Sequence, residues 1–335
     1  MPDPLEIEEV GEAARLEALR PAWLELWKHV PEATPFQSPA WLIPWWRVFG
    51  DGPLMALALW RGSRLVGLAP LYVLRENGTR KLLPVGAGVS DFLDPLIEPA
   101  DAAAGTAKLV AGLAARADRF DRCDLECQRE GSPWLAAPWP SGWKVLRHAG
   151  ASCPVLALDG TGTPDAPVLS RHRRGRLRYY LRRAESLGPT RFERASGADL
   201  DEFLLALERL HGARWHGRGE PGVLADPKVR AFHRLAAPAL QEQGCLRLYG
   251  LRIGVRLTAV FHTMADRQRL HVYLGGFDPE LAQVSPGSLT IAHAVQEAAR
   301  EGRREVHFLR GREAYKYDWG AIDRPTYGLR LEPAR

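Results

Sequence analysis

The stretch Gln283-Val284-Ser285-Pro286-Gly287-Ser288-Leu289 combines residue types that can hold a phosphate. Serine at 285 suits a helix N-cap. Proline suits the first helical turn because its missing N–H would be unpaired there, and Gly287 lets another group come close to the backbone. A helix opened this way presents free N–H groups and the positive end of its dipole to an anion. No acid lies between Gln283 and Thr290. The same residues also fit a well-capped helix without a ligand, since Ser-Pro-Gly is a common turn.

Three further groups carry polar chemistry. Residues 270–277 read as a strand, and alternation puts His271, Tyr273 and Gly275 on one face and Leu270, Val272 and Leu274 on the other. Asp278 follows, and His262 sits on the neighbouring strand. These groups also fit cross-strand contacts, a packed aromatic and a turn aspartate. His211, Arg214 and Trp215 close a helix, which they either cap or extend toward a cleft. Arg310, Glu313, Tyr315 and Lys316 sit in a segment after the last strand of the second half, a binding loop or a solvated one. Residues 171–183 hold seven arginines with Tyr179 and Tyr180 among them. They suit a solvated helical face, or a contact with phosphate, an anionic ligand or nucleic acid.

These groups require an α/β framework to position them. In the first half, residues 13–30 and 39–49 read as helices, the former broken or kinked at Pro21. Residues 54–60 and 65–74 read as a hairpin, 102–119 as a helix and 123–128 as a strand. The second half repeats the order. Helices cover 200–215 and 227–243, strands 246–251, 255–264 and 270–277, then a helix 289–300 and a strand 305–309. Domains at 1–158 and 168–335 follow, joined through the Gly-, Thr- and Pro-rich stretch 159–167. The first half's late helix begins near Glu98 and Asp101, whose charges would repel a phosphate. The second half is therefore the expected anion-binding one. Nine of eleven tryptophans precede residue 150, as suits a half that mainly packs.

Bulk numbers agree. The 335 residues are 46% hydrophobic and 25% charged, which describes a globular domain or two. The net charge of +5 rests almost wholly on arginine, with only six lysines. No apolar run reaches the length of a membrane span, and the acidic, helix-patterned start lacks the features of a signal peptide, so a cytoplasmic protein is expected. Cys123, Cys127, Cys153 and Cys245 have no metal-ligand spacing; reduced thiols and no metal site are expected. Oligomeric state has no sequence signal.

The segments Phe36-Gln37-Ser38-Pro39-Ala40-Trp41-Leu42, Gly67-Leu68-Ala69-Pro70-Leu71 and Ser90-Asp91 resemble the N-terminal half of CelD-like proteins, a cellulose biosynthesis-associated branch of the GNAT acetyltransferase superfamily related to Fem-type transferases. In the second half Leu210-His211, Arg214-Trp215, Gly276-Phe277-Asp278-Pro279, Ser285-Pro286-Gly287 and Phe308-Leu309-Arg310-Gly311 with Tyr315-Lys316 are similar to the same family. The resemblance runs from about Trp23 to Gly320. It implies tandem GNAT-like domains, mixed central sheets flanked by helices, with acetyl-CoA or another acyl-CoA as cosubstrate in the C-terminal one only. The diphosphate would lie at Gln283, Ser285, Gly287, Ser288 and Leu289, although Pro286 and Ser288 depart from the usual glycine-rich loop, and Gly275 would let the pantetheine approach. Direct attack by an amine on the thioester needs a polarised carbonyl and an acid for the thiolate. Tyr273 would supply the proton, and His271 or Asp278 would accept one from the amine. His211, Arg214, Trp215, Arg310, Glu313, Tyr315 and Lys316 would meet the acceptor: a small molecule, sugar or envelope precursor. A Fem-like transferase fed by aminoacyl-tRNA, with residues 171–183 holding the RNA, and a non-catalytic scaffold in polysaccharide biosynthesis remain the alternatives.

Overall fold

The computed structural model describes residues 3–158 and 169–334; the proposed joint at 159–167 lies outside them. The chain forms two compact units. One comprises the chain up to Ser152 together with the segment from Pro325 on; the other is Cys153–Arg324.

In the first unit β1 (Leu5–Val10) is followed by α1 (Ala13–Ala18), α2 (Arg20–His29) and α3 (Pro39–Phe49). The break expected near Pro21 falls at Leu19, which puts Pro21 in the first turn of α2, where its missing N–H costs nothing. Next come β2 (Ala56–Arg61), β3 (Arg64–Ala69), β4 (Leu71–Glu76), β5 (Thr79–Pro84), β6 (Leu96–Ile97), α4 (Ala102–Ala114), β7 (Arg122–Arg129) and β8 (Lys144–Ala157). The expected strand 65–74 breaks at Pro70. β3 pairs with β2 and β6 in a four-stranded sheet, whereas β4 pairs with β5 in another. Proline cannot donate to a ladder, so it sits where the chain changes sheets. The core joins Leu57, Leu59 and Val66 to Leu109, Leu113, Leu125 and Trp134.

β8 carries the chain into the second unit, where α5 (Arg171–Glu185), β9 (Thr190–Arg194), α6 (Leu200–His216), α7 (Pro227–Glu242), β10 (Leu246–Ile253), β11 (Arg256–Ala265), β12 (Arg269–Phe277), α8 (Pro286–Arg300), β13 (Glu305–His307), α9 (Ala314–Tyr317) and β14 (Ile322–Glu332) follow. Its sheet is mixed. β9, β10, β11 and β12 are antiparallel neighbours, β12 pairs parallel with β13, and β13 pairs antiparallel with the end of β8. β14 ends in the first unit, pairing with β7 (Tyr327↔Gln128). Both units run strand, helices, antiparallel strands, helix, strand. That is the expected repeat of element order in an α/β fold. No described helix is long and apolar enough to cross a membrane.

Candidate functional site

The second unit's sheet is irregular at one decisive place. β12 pairs with β11 as Thr263↔Val272 and then His262↔Leu274, so Tyr273 is an extra residue, a β-bulge. Before the bulge Leu270 and Val272 pack on Ile291 and Val295 of α8. After it the faces have exchanged. A side chain at Gly276 would meet Leu210 and the His211 backbone of α6 at 2.3–2.8 Å, whereas one at Gly275 would meet the Phe261 ring at 2.2–2.8 Å. Gly276, and not the expected Gly275, therefore shares a face with Tyr273. Alternation fails here because one extra residue reverses every later side chain. Both glycines are demanded by packing, so neither is glycine for a ligand's sake alone.

The α8 start is a proline-glycine corner with no acid in its first turn. Ser285 adopts a left-handed conformation at φ 47°, ψ 58° and does not cap with its side chain, contrary to expectation; its hydroxyl meets Ser288 Oγ at 2.9 Å. The first-turn N–H groups at Gly287 and Ser288 have no acceptor within the helix. Gly287 is buried, and a side chain there would lie 2.9 Å from Phe277 Cδ1. Ser285 and Ser288 are half-buried, Gln283 is exposed and Leu289 is in the core. Leu177, Tyr180, Leu181 and Ala184 of α5 pack with Val284 and Leu289 beside this corner. That leaves Arg171, Arg174, Arg176, Arg178, Arg182 and Arg183 exposed, none in an ion pair among the described residues. Arg173 instead stacks on Trp319, 3.7 Å from the ring centre, and donates to the Asp318 carbonyl.

The end of α6 and the segment after β13 converge. His211 is buried, with no hydrogen-bond partner for Nδ1 among the described residues. Burial first, and Arg214 second, push its pKa down to about 4, so the ring is neutral at pH 7. Arg214 is flanked by Phe277 and Trp215, at 5.3 and 5.9 Å from the ring centres. It donates from Nη1 to the Gly275 carbonyl at 3.4 Å and leaves a buried Nε without a partner. Its charge is felt by both Glu313 and Tyr315. Burial and Glu313 push the Tyr315 phenol up to about 12. Gly222, at φ +71°, closes this corner, since a side chain there would lie 2.6 Å from His211 and 2.7 Å from Trp215. Thus His211, Arg214, Trp215, Glu313 and Tyr315, five of the seven residues expected to meet the acceptor, form one cluster.

Three expected roles meet obstacles. Lys316 is 3% exposed, and its ammonium donates to the carbonyls of Leu309, Arg310 and Gly311 and pairs with Glu313 at 3.0 Å. It organises the loop and has no proton left for a substrate acid. His271 is fully buried and bonds Asp266 Oδ2 at 2.8 Å, beside the His307–Glu305 pair. The partners of Asp266, His271 foremost, hold it ionised, down to about 2 against its burial. Asp278 accepts from Glu280 N and Arg256 Nη2, both at 3.1 Å, as a turn cap and ion-pair partner. Neither carboxylate nor imidazole is open to a substrate. Of the expected catalytic residues Tyr273, His271 and Asp278, only Tyr273 is half-exposed, with His262 and His233 rings 5.7 and 5.6 Å away. Arg310 is exposed and its carbonyl serves Lys316. Sequence reasoning missed Arg218, whose guanidinium lies 5.5 Å from the Trp215 ring centre; its one signal is a position one turn beyond Arg214. Among the described residues no His, Cys, Asp and Glu group has the geometry to hold a metal.

No curated protein matches. A crystal structure of FemX shares the fold with a TM-score of 0.67 at 13% identity, over 96% of this chain and 96% of that one. A tandem GNAT protein from the clavulanic acid biosynthesis pathway superposes with a TM-score of 0.50 at 14% identity, over 99% of each chain. Such identities speak for the fold alone. Residues 171–317, which carry the bulged strand, the α8 corner and the α6 cluster, match the family model of the acetyltransferase (GNAT) domain.

Proposed function

We propose that the second unit is an acyl-CoA-dependent N-acyltransferase. The observation that carries this reading is a bulged strand followed, after one short 3-10 stretch, by an acid-free helix start, inside the segment matching the GNAT domain. The bulge at Tyr273 interrupts the ladder where a thioester needs backbone partners. The N–H groups of Gly287 and Ser288, with Ser285 and Gln283 beside them, receive the diphosphate. The acceptor amine enters at His211, Arg214, Trp215, Glu313 and Tyr315 as its free base. The nitrogen attacks the thioester carbonyl, the C–N bond forms and the C–S bond breaks. The thiolate takes the Tyr273 phenolic proton, and the proton lost by the amine restores the phenol. The resemblance to CelD-like proteins favours an acceptor from polysaccharide or envelope assembly.

Calorimetry with acetyl-CoA tests the diphosphate site through Ser288→Glu. Gly287 is a poor probe because any side chain there displaces Phe277. A glutamate at 288 adds negative charge to the first turn, which favours the helix but repels a diphosphate. Affinity should fall about tenfold or more while the melting temperature holds or rises. Unchanged affinity refutes the site. No binding of any common acyl-CoA by the wild type refutes the reading and leaves the tRNA-fed transferase and the non-catalytic scaffold.

The unpaired arginines of α5 favour a second reading, a Fem-like transferase whose acyl group arrives on tRNA. It requires tRNA binding that weakens steeply with salt. Salt-insensitive or absent binding rejects it.

A further inference from the structure

We infer that the side-chain cluster at the end of α6 takes an acceptor carrying both an amine and a carboxylate, an amino acid or a close relative, with Arg214 and Arg218 receiving the carboxylate. This rests on the acyltransferase reading and narrows its acceptor. Arg214 is a largely buried cation without a counter-ion. Among the described residues no carboxylate reaches ion-pair distance of it; its one hydrogen bond is the 3.4 Å contact to Gly275, and its buried Nε has no partner. Burial holds its pKa below the usual arginine range. A desolvated charge of this kind is costly unless something supplies the opposite charge.

The nearby acids are engaged elsewhere, Glu313 with Lys316 and Asp278 with Arg256. Arg218, exposed and likewise without an ion pair among the described residues, stacks on the same Trp215 ring and depresses the Arg214 pKa further. An anion between the two guanidiniums would relieve that repulsion, and the planar guanidinium matches a carboxylate through two parallel hydrogen bonds. The Phe277 and Trp215 rings lie beside the Arg214 guanidinium, 5.3 and 5.9 Å from it. Glu313 supplies the complementary pole. Its side chain is 47% exposed and it couples to Arg214 without pairing with it. A purely anionic ligand would meet Glu313 unfavourably; a zwitterion satisfies both ends. The acid-binding role expected of Lys316 thus passes to Arg214.

Acetyl transfer from acetyl-CoA to the standard L-amino acids, each beside its own carboxamide, tests this on the full chain. At least one acid should exceed its carboxamide by about tenfold or more in kcat/KM, because a site built for a charged hydrogen-bonding group rejects its isostere. Arg214→Gln should abolish the preference by slowing the acid far more than the amide, and Arg218→Gln should weaken it in the same direction. Equal use of acids and amides, or turnover of amines lacking a carboxylate only, overturns the inference and leaves the acyltransferase standing. If acyl-CoA neither binds nor turns over, the parent reading fails. Thermal shift with the same pairs then decides the inference alone. An amino acid that stabilises the wild type and not Arg214→Gln upholds it, and none doing so overturns it. Should Arg214→Gln not fold, the exposed Arg218 carries the same comparison.

Discussion

The two units treat buried polar groups differently. In the first unit they close on one another. Gln37 Nε2 donates to the Asp94 carbonyl at 2.7 Å, its Oε1 accepts from Thr34 N, Trp23 donates to the Gln37 carbonyl, and Trp41 donates to Ser90 Oγ. Arg129 clamps the Asp94 carboxylate through its backbone and side chain, while Gln128 ties Leu93 to Ser132. Even the acids before α4 are taken, Asp101 by Arg61 and Glu98 by Arg64. Among the described residues of this unit, Trp45 Nε1 is the exception. In the second unit His211 Nδ1, Arg214 Nε and both ring nitrogens of His262 are buried without a partner from another described residue. Native interiors rarely leave such groups unmet. A closed network specifies packing; an open one is where a ligand or water completes the structure. The difference supports the proposal that ligands bind in the second unit, as does the acid-free start of α8.

Acid should separate the units most strongly. His211, His262 and His307 fall from 6.5 to about 4, chiefly through burial. A depressed folded pKa means that the unfolded chain takes up protons first. Stability is therefore intact above pH 6.5 and is lost as pH falls toward 4, by about 1.4 kcal/mol per histidine per pH unit. Glu305 and Asp266, both held down to about 2 by cationic partners, extend the loss to lower pH, because the unfolded carboxylates take up protons that the folded ones still resist. The first unit's histidines, His29 and His148, reach solvent. Hydrogen exchange between pH 7 and 4.5 should show the second unit opening first; simultaneous opening of both would erase the contrast.

Gln37→Leu attacks the closed network. It strands Thr34 N and the Asp94 carbonyl, and should cost about 3 kcal/mol in denaturant unfolding of the first unit. Acetyl-CoA affinity should not change. A cost below about 1 kcal/mol would mean that the network is ornament to the packing.

The smallest effect sharpens the comparison from the other side. His262→Leu removes two unmet ring nitrogens and keeps an apolar side chain among His233 and Tyr273. Stability should change by less than about 1 kcal/mol, with a gain as the expected sign. A large loss would show that His262 is satisfied in solution by water.

Much of this was legible from local pattern. α3 matches its expected bounds, and α6 and α7 match to within a residue or two, because apolar spacing, Pro39 and Pro227 at helix starts, and Asp226 as a cap act over a few neighbouring residues. The α8 corner, the absence of acids in it and the individual residues of the α6 cluster were legible for the same reason. Tertiary structure alone decided the rest. The bulge at Tyr273 exists only against β11, so alternation could not show that Gly276 replaces Gly275 on its face. Lys316 reads as a free cation until the chain after β13 folds its carbonyls around it. His271 reads as a strand-face base until Asp266 meets it in the core. Local propensity sets where helices and strands begin, but the partners of a charge are chosen by groups distant in sequence, and only burial determines whether that charge remains available.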